Sequence, residues 1–293
     1  MKKLSPYLLG LSLAVAGSSL AAAQETSSGT PSLPKVLQIT REYTKPYKGG
    51  AAHDKTEGAF VQAMTKAKWP THYFALNSLS GKLRSLYFTS YDSLEAWEKD
   101  NAATAKNSTL AAELEHASVA DGELLDSVDQ GVFLYSDELS FHARAGLSHQ
   151  RYMEISAYNV RPGHEKEWNE LVKLVKAGYE KAGIDAHWGT FGLIYGGQGG
   201  RYIVLSAHKT LAEVDNDFLN DKLFEKALGE DGLKQLDTLV QASIESSEHN
   251  LYQFNPRQSY VSDEWIKADP EFWKPKPAAP AAKPAVEKEK AKP

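Results

Sequence analysis

The sequence contains no cysteine. Disulfides, thiolate metal sites and a lipid-modified N-terminal cysteine are therefore excluded, and the fold has to hold by packing alone. Long apolar runs are equally scarce: beyond the N-terminal region, no stretch approaches the length of a membrane span. Basic surplus is missing too, with 33 Lys and Arg against 38 Asp and Glu. Without Lys2 and Lys3 the net charge is about −7, and a tail with six lysines and two glutamates puts the body near −11. An acidic body argues against nucleic acid as the partner, because phosphate binding needs a basic surface. Catalytic signatures are absent as well. There is no Gly-x-Ser-x-Gly elbow, no phosphate-cradling loop ending in Gly-Lys-Ser/Thr, and no second histidine to complete a helical zinc motif with His164-Glu165.

What is present begins with an export pattern. Lys2 and Lys3 precede a short apolar core, Tyr7 to Ala16, and the small residues Ala21-Ala22-Ala23. This predicts a cleaved signal peptide (1–23), a mature start at Gln24, and a periplasmic or secreted protein with no membrane span after cleavage. Residues 24–34, rich in Ser, Thr, Gly and Pro, read as a flexible leader, and residues 274–293, rich in Pro, Ala and Lys, as a disordered tail. Between them, 262–273 concentrates aromatics in a polar setting and reads as an arm packed on the exterior of the body.

The body is organised around Tyr152 to Leu211. Tyr152–Tyr158 alternates in character, as a strand with two different faces does. Arg161-Pro-Gly-His164 breaks it, and Trp168, Leu171, Val175 and Tyr179 then recur at helical spacing, with Gly183 where a C-cap belongs. Ala186–Tyr195 and Tyr202–Ala207 read as strands joined by the Gly196–Gly200 hairpin. A fainter copy of the same order lies upstream. Ile39, His72, Leu94 and Tyr135 correspond to Ile155, His187, Leu211 and Tyr252 at an offset of 115–117 residues, as internal duplication predicts.

The order strand–helix–strand–strand–helix–strand is the ferredoxin-like arrangement. The expected fold is therefore α+β: two tandem βαββαβ repeats (35–146 and 147–261) whose antiparallel sheets pack face to face as a pseudo-dimeric barrel. With Val160-Arg-Pro-Gly-His-Glu165 leading into an amphipathic helix, and the strand order repeated from Val36 to Val261, the chain resembles the dimeric α/β-barrel superfamily in its fused two-repeat form. That resemblance implies a fold more firmly than a function, since such proteins include cofactor-free monooxygenases, haem-binding enzymes and members with no established activity. A single chain then forms a pseudo-two-fold monomer, or a homo-oligomer paired through edge strands.

The space between the sheets is the expected site for a small aromatic or apolar ligand. Strand parity is read as turning Gln38, Thr40 and Glu42 into it from one half and Glu154, Ser156 and Tyr158 from the other, with Tyr87 and Tyr202 as additions. His72 and His187 stand at equivalent places, each followed by an aromatic, Tyr73 and Trp188, and parity leaves open which member of each pair faces inward. In an enzyme, His187 and His72 are the candidate bases, Glu154 orients or shares the proton, and Tyr158 and Trp188 hold the ligand. That chemistry suits an oxygenase that activates its own substrate, or an isomerase. The same histidines are candidate axial ligands for haem, although the sequence requires no cofactor. No compact metal-ligand spacing is visible and no metal is assigned. His208 and Lys209 read as solvated. The competing class is a non-catalytic envelope protein with a filled barrel, whose arm and tail make the contacts.

Overall fold

The computed structural model describes residues 33–144 and 146–274. The export signal, nearly all of the leader and the tail beyond Lys274 lie outside the described residues.

The first half runs β1 (Val36–Thr44), α1 (Ala51–Ala67), β2 (Tyr73–Ser78), β3 (Arg84–Tyr91), α2 (Leu94–Lys106), α3 (Ser108–Gly122) and β4 (Leu125–Phe141). The second runs β5 (Tyr152–Val160), α4 (Glu165–Ala182), β6 (Trp188–Tyr195), β7 (Arg201–His208), α5 (Leu211–Ser243) and β8 (Ile244–Phe254), followed by the short helices α6 (Asp263–Ala268) and α7 (Pro270–Trp273). The strands close into a barrel in the order β1-β3-β2-β8-β5-β7-β6-β4. Each half supplies a four-stranded antiparallel sheet, and the seams β2–β8 and β4–β6 join the two. The seams are short: residues 244–251 of β8 pair with β5 alone and residues 125–131 of β4 pair with β1 alone, which leaves strand edges of the kind the expected oligomer pairing would use.

Local chemistry accounts for most boundaries. Trp168, Leu171, Val175 and Tyr179 form the buried stripe of α4, each contributing about 1.5–3 kcal/mol before entropy is subtracted. Gly183 ends that helix in the left-handed conformation, φ 66° and ψ 30°. Ser93 caps α2 by accepting from the Ala96 amide. Thr210, at the N-cap position of α5, makes no side-chain cap bond, and Glu213 accepts from the Lys209 amide at 2.7 Å instead. In the β6–β7 hairpin, Gly196 has φ 90° and lies so close to β4 that a Cβ would sit 2.0 Å from the Gln130 carbonyl oxygen.

Which face of each strand is enclosed is the principal correction. The barrel interior is apolar, built from residues such as Leu37, Ile39, Phe88, Phe133, Met153 and Ile155. The alternate residues face outward, where α1 and α3 cover one sheet and α4 and α5 the other. Tyr158 thus packs in the helix-side core with Trp168, Tyr202 stacks on Trp168 at 5.3 Å, and Gln38 and Thr40 follow by alternation with Leu37 and Ile39. The physical reason is satisfiability. The outer face offers polar partners and open margins, as Ser156 shows by meeting Nδ1 of its cross-strand neighbour His249 at 2.9 Å. The interior of a closed barrel offers neither, so the apolar set goes in.

The arm is corrected as well. It folds over one end of the barrel, with Trp273 2% exposed and joined to the interior cluster. Its indole donates to the Ser148 carbonyl at 2.6 Å, and Arg151 pairs with Asp269 while lying 3.9 Å over the Phe272 ring.

Candidate functional site

The end of the barrel under the arm is open inside. The starts of β1, β2, β5 and β6 and the ends of β3 and β7 meet there, with the connection between the halves and the first arm residues at the rim. They enclose a cavity of about 570 Å³. Leu37, Phe88, Met153, Phe191 and Leu205 form its wall, and Trp265 roofs it. Deeper in, side chains fill the barrel, and the far end holds a void of only about 40 Å³ near Arg41, Arg84 and Arg201. The inter-sheet space is therefore neither wholly packed nor lined by the polar set that parity suggested.

His72 and His187 both reach this cavity, from equivalent positions just ahead of β2 and β6. They differ in what holds them. His187 Nδ1 lies 2.7 Å from the His142 carbonyl oxygen, and its Nε2 lies 2.7 Å from Asp185 Oδ1. With both ring nitrogens engaged by oxygen partners, the ring serves as an anchor for the β6 entry. His72 stacks face to face on Tyr260, centroids 4.8 Å apart. Burial lowers its pKa, against the opposing pull of the Pro70 carbonyl and Asp263, so the ring is neutral at neutral pH.

The remaining expected site residues divide. Trp188 borders the cavity but packs on the helix side, its indole donating to the Leu139 carbonyl at 3.0 Å. Tyr73 also borders it, while its ring meets Tyr87 edge-on at 6.1 Å on the outer face. Glu154, Ser156, Tyr158, Tyr87, Tyr202, Gln38 and Thr40 do not line it. Glu154 stands beside neither expected base. Its Oε2 is 3.4 Å from Nε2 of His208, which is buried at 1% exposure rather than solvated. That contact was readable only after registering β5 on β7, where Glu154 faces Ser206 and His208 lies two residues on. The Asp185–His187 pair, two residues apart, carried a local signal; the His142 carbonyl, from the other half, carried none.

No family model and no curated protein matches the chain. Solved structures of similar shape include a candidate monooxygenase from Fusobacterium nucleatum subsp. nucleatum, 12% identical over 75% of this chain and 92% of that one, TM-score 0.49. An anthrone oxidase-like protein is 15% identical over 78% and 94%, TM-score 0.47. A mutant chlorite dismutase from Candidatus Nitrospira defluvii is 8% identical over 81% and 96%, TM-score 0.45. By its own strand order, the chain has an α+β fold in which two four-stranded antiparallel sheets close into one eight-stranded barrel.

A pH dependence follows from His72. Its pKa in the folded protein lies below the ordinary 6.5, so below that value the unfolded chain binds more protons. The stabilising contribution is present above pH 6.5 and is lost as the pH falls through the folded pKa. Urea midpoints compared at about pH 7.5 and about pH 5.5 should fall more for the wild type than for His72→Asn. Equal falls would show that His72 is not held neutral by the fold.

Proposed function

We propose that this protein binds a small, largely apolar molecule, aromatic in part, at the mouth of its barrel, and that His72 supplies the polar contact. The observation that carries the reading is the cavity of about 570 Å³ with an aliphatic and aromatic wall and a neutral imidazole at its rim. Both the size and the ratio of apolar wall to polar handle suit a small-molecule site. A neutral imidazole donates from one nitrogen and accepts at the other, which fits a phenol or enol hydroxyl. In an enzyme, the same contact takes the proton when such a substrate is activated, and the oxygenase-like reading rests on it. His187 is then a positioning residue, Asp185 and His142 holding it as it holds the start of β6.

Haem, which the resemblance also implies, fits these residues poorly. An axial ligand needs an imidazole nitrogen free to meet the iron; His187 has neither free, and His72, with one nitrogen turned to the Pro70 carbonyl, leaves a single candidate nitrogen. No step is routed through it. The signal pattern supports a site of action outside the cytoplasm.

The test uses a phenolic probe such as 1-naphthol, titrated by its fluorescence. Wild-type protein should bind it saturably, and Ala207→Phe, which fills the cavity from β7, should weaken binding by at least about tenfold. His72→Ala should weaken the phenol by about tenfold while leaving naphthalene little changed. Undiminished binding in Ala207→Phe would place the ligand elsewhere. No binding at all would favour the non-catalytic scaffold.

A further inference from the structure

The first half of the chain holds a buried polar chamber where the equivalent place in the second half is packed with aromatic rings. Glu42 on β1, His53 and Glu57 one turn apart on α1, and Asp121 on α3 each bring a ligand atom within 4.8 Å of the others. His53 Nε2 stands 3.2 Å from Glu42 Oε2 and 3.4 Å from Asp121 Oδ1. His53, Glu57 and Asp121 are each no more than 3% exposed. Among the described residues, no lysine or arginine pairs with any of the three carboxylates. Glu57 Oε1 and Asp121 Oδ2 lack hydrogen-bond partners. The buried Tyr87 hydroxyl lies beside the Glu57 carboxylate, and the Tyr73 hydroxyl is unpartnered.

The pseudo-symmetry shows that the fold does not need these groups. Glu42 pairs with Ser85 across β1–β3 as Tyr158 pairs with Tyr202 across β5–β7. At the 115-residue offset, His53 takes the place of Trp168. Trp168 touches Tyr158 and Tyr202 at ring distances of 5.2 and 5.3 Å, just as His53 touches Glu42 at 3.2 Å and Ser85 at 3.4 Å. A Tyr–Trp–Tyr core in one half is thus a Glu–His–Ser chamber in the other. Burying carboxylates opposes folding unless a counter-charge compensates.

We propose that this chamber is a divalent-metal site, in which Glu42, His53, Glu57 and Asp121 each give one ligand atom to a single first-row transition ion. Three carboxylates and one imidazole, without thiolate, select ions such as Zn²⁺ or Mn²⁺ over soft metals, and the imidazole disfavours Mg²⁺ and Ca²⁺. His53 Nε2 faces the ion position while Nδ1 turns to the Ser85 hydroxyl, which fixes the ring. The Tyr87 hydroxyl, beside Glu57, is placed to donate to a carboxylate oxygen not on the ion. Four protein donors complete a tetrahedral Zn²⁺ shell, in which the ion's role is to tie β1, α1 and α3 together; Mn²⁺, which prefers six ligands, would need two more. Ligands spread from residue 42 to residue 121 leave no motif in the sequence.

The test titrates the full mature chain, first stripped with chelator, with Zn²⁺ or Mn²⁺ alone. Bound metal is counted by mass spectrometry after dialysis, and thermal unfolding is followed alongside. The expected result is one ion per chain with a raised melting temperature. Affinity should fall by more than the about 10–100-fold typical of losing a ligand's supporting partner in Glu57→Gln and Asp121→Asn and stay unchanged in Glu154→Gln, whose carboxylate lies in the separate Glu154–His208–Asp217 group. No stoichiometric uptake of either ion, or uptake undiminished in both variants, overturns the proposal. Should the variants not fold, anomalous diffraction from Zn²⁺-soaked wild-type crystals decides it: an ion between Glu57 and Asp121 supports the site, and ions only elsewhere overturn it.

Discussion

Trp273→Ala is expected to lower folding stability by about 3–5 kcal/mol, the usual cost of deleting a buried indole. Trp273 is 2% exposed and is the arm's deepest anchor. Its ring meets Phe254 and Phe272 edge-on at 6.1 and 4.8 Å, and Trp265 at 5.0 Å. Removing it leaves the Ser148 carbonyl without its donor and withdraws the brace behind Trp265, which roofs the cavity. Two readouts should therefore move together: the urea midpoint falls, and 1-naphthol enters and leaves the cavity faster. A midpoint within about 1 kcal/mol of the wild type would mean that the arm lies loosely on the barrel and does not close it.

The second large effect is expected at Trp168. Trp168→Ala should cost about 3–5 kcal/mol, because this side chain sits between α4 and the β5–β7 pair with Tyr158 and Tyr202 on either side. At about 2–4 °C per kcal/mol for a chain of this size, the melting temperature should drop by on the order of 10 °C. Binding at the barrel mouth should change little, since Trp168 is on the helix side and does not line that cavity. A loss of ligand binding without a loss of stability would reverse the assignment of the two faces.

That assignment marks where the sequence stops being informative. Helix stripes, caps and hairpins are local, so Trp168, Gly183 and Gly196 announce them, and the constant offset between Ile39 and Ile155 or His72 and His187 exposes the duplication. Alternation in Met153-Glu154-Ile155-Ser156 also proves two unlike faces. It does not say which is enclosed, because both sides of a closed barrel wall are covered. The apolar face goes inside for want of polar partners there, and this sends Glu154 to His208 and Tyr158 to Trp168. The mouth residues His72 and His187 were legible because the repeat places them together. Their unequal roles were not, since His187 is fixed by a carbonyl from residue 142 and His72 by a ring from residue 260.

Everything proposed for the cavity requires the two halves to share one interior. The absence of native cysteine permits a direct measurement: Asn77→Cys and Gln253→Cys, register partners across the β2–β8 seam, combined in one chain and oxidised. Register partners in an antiparallel pair stand at about 5.5 Å between Cα atoms, within disulfide range. Peptide mapping should recover a single intramolecular link between β2 and β8, formed in high yield when the folded protein is oxidised and in low yield when oxidation is carried out in urea. Free thiols, or links only between separate chains, would contradict the account.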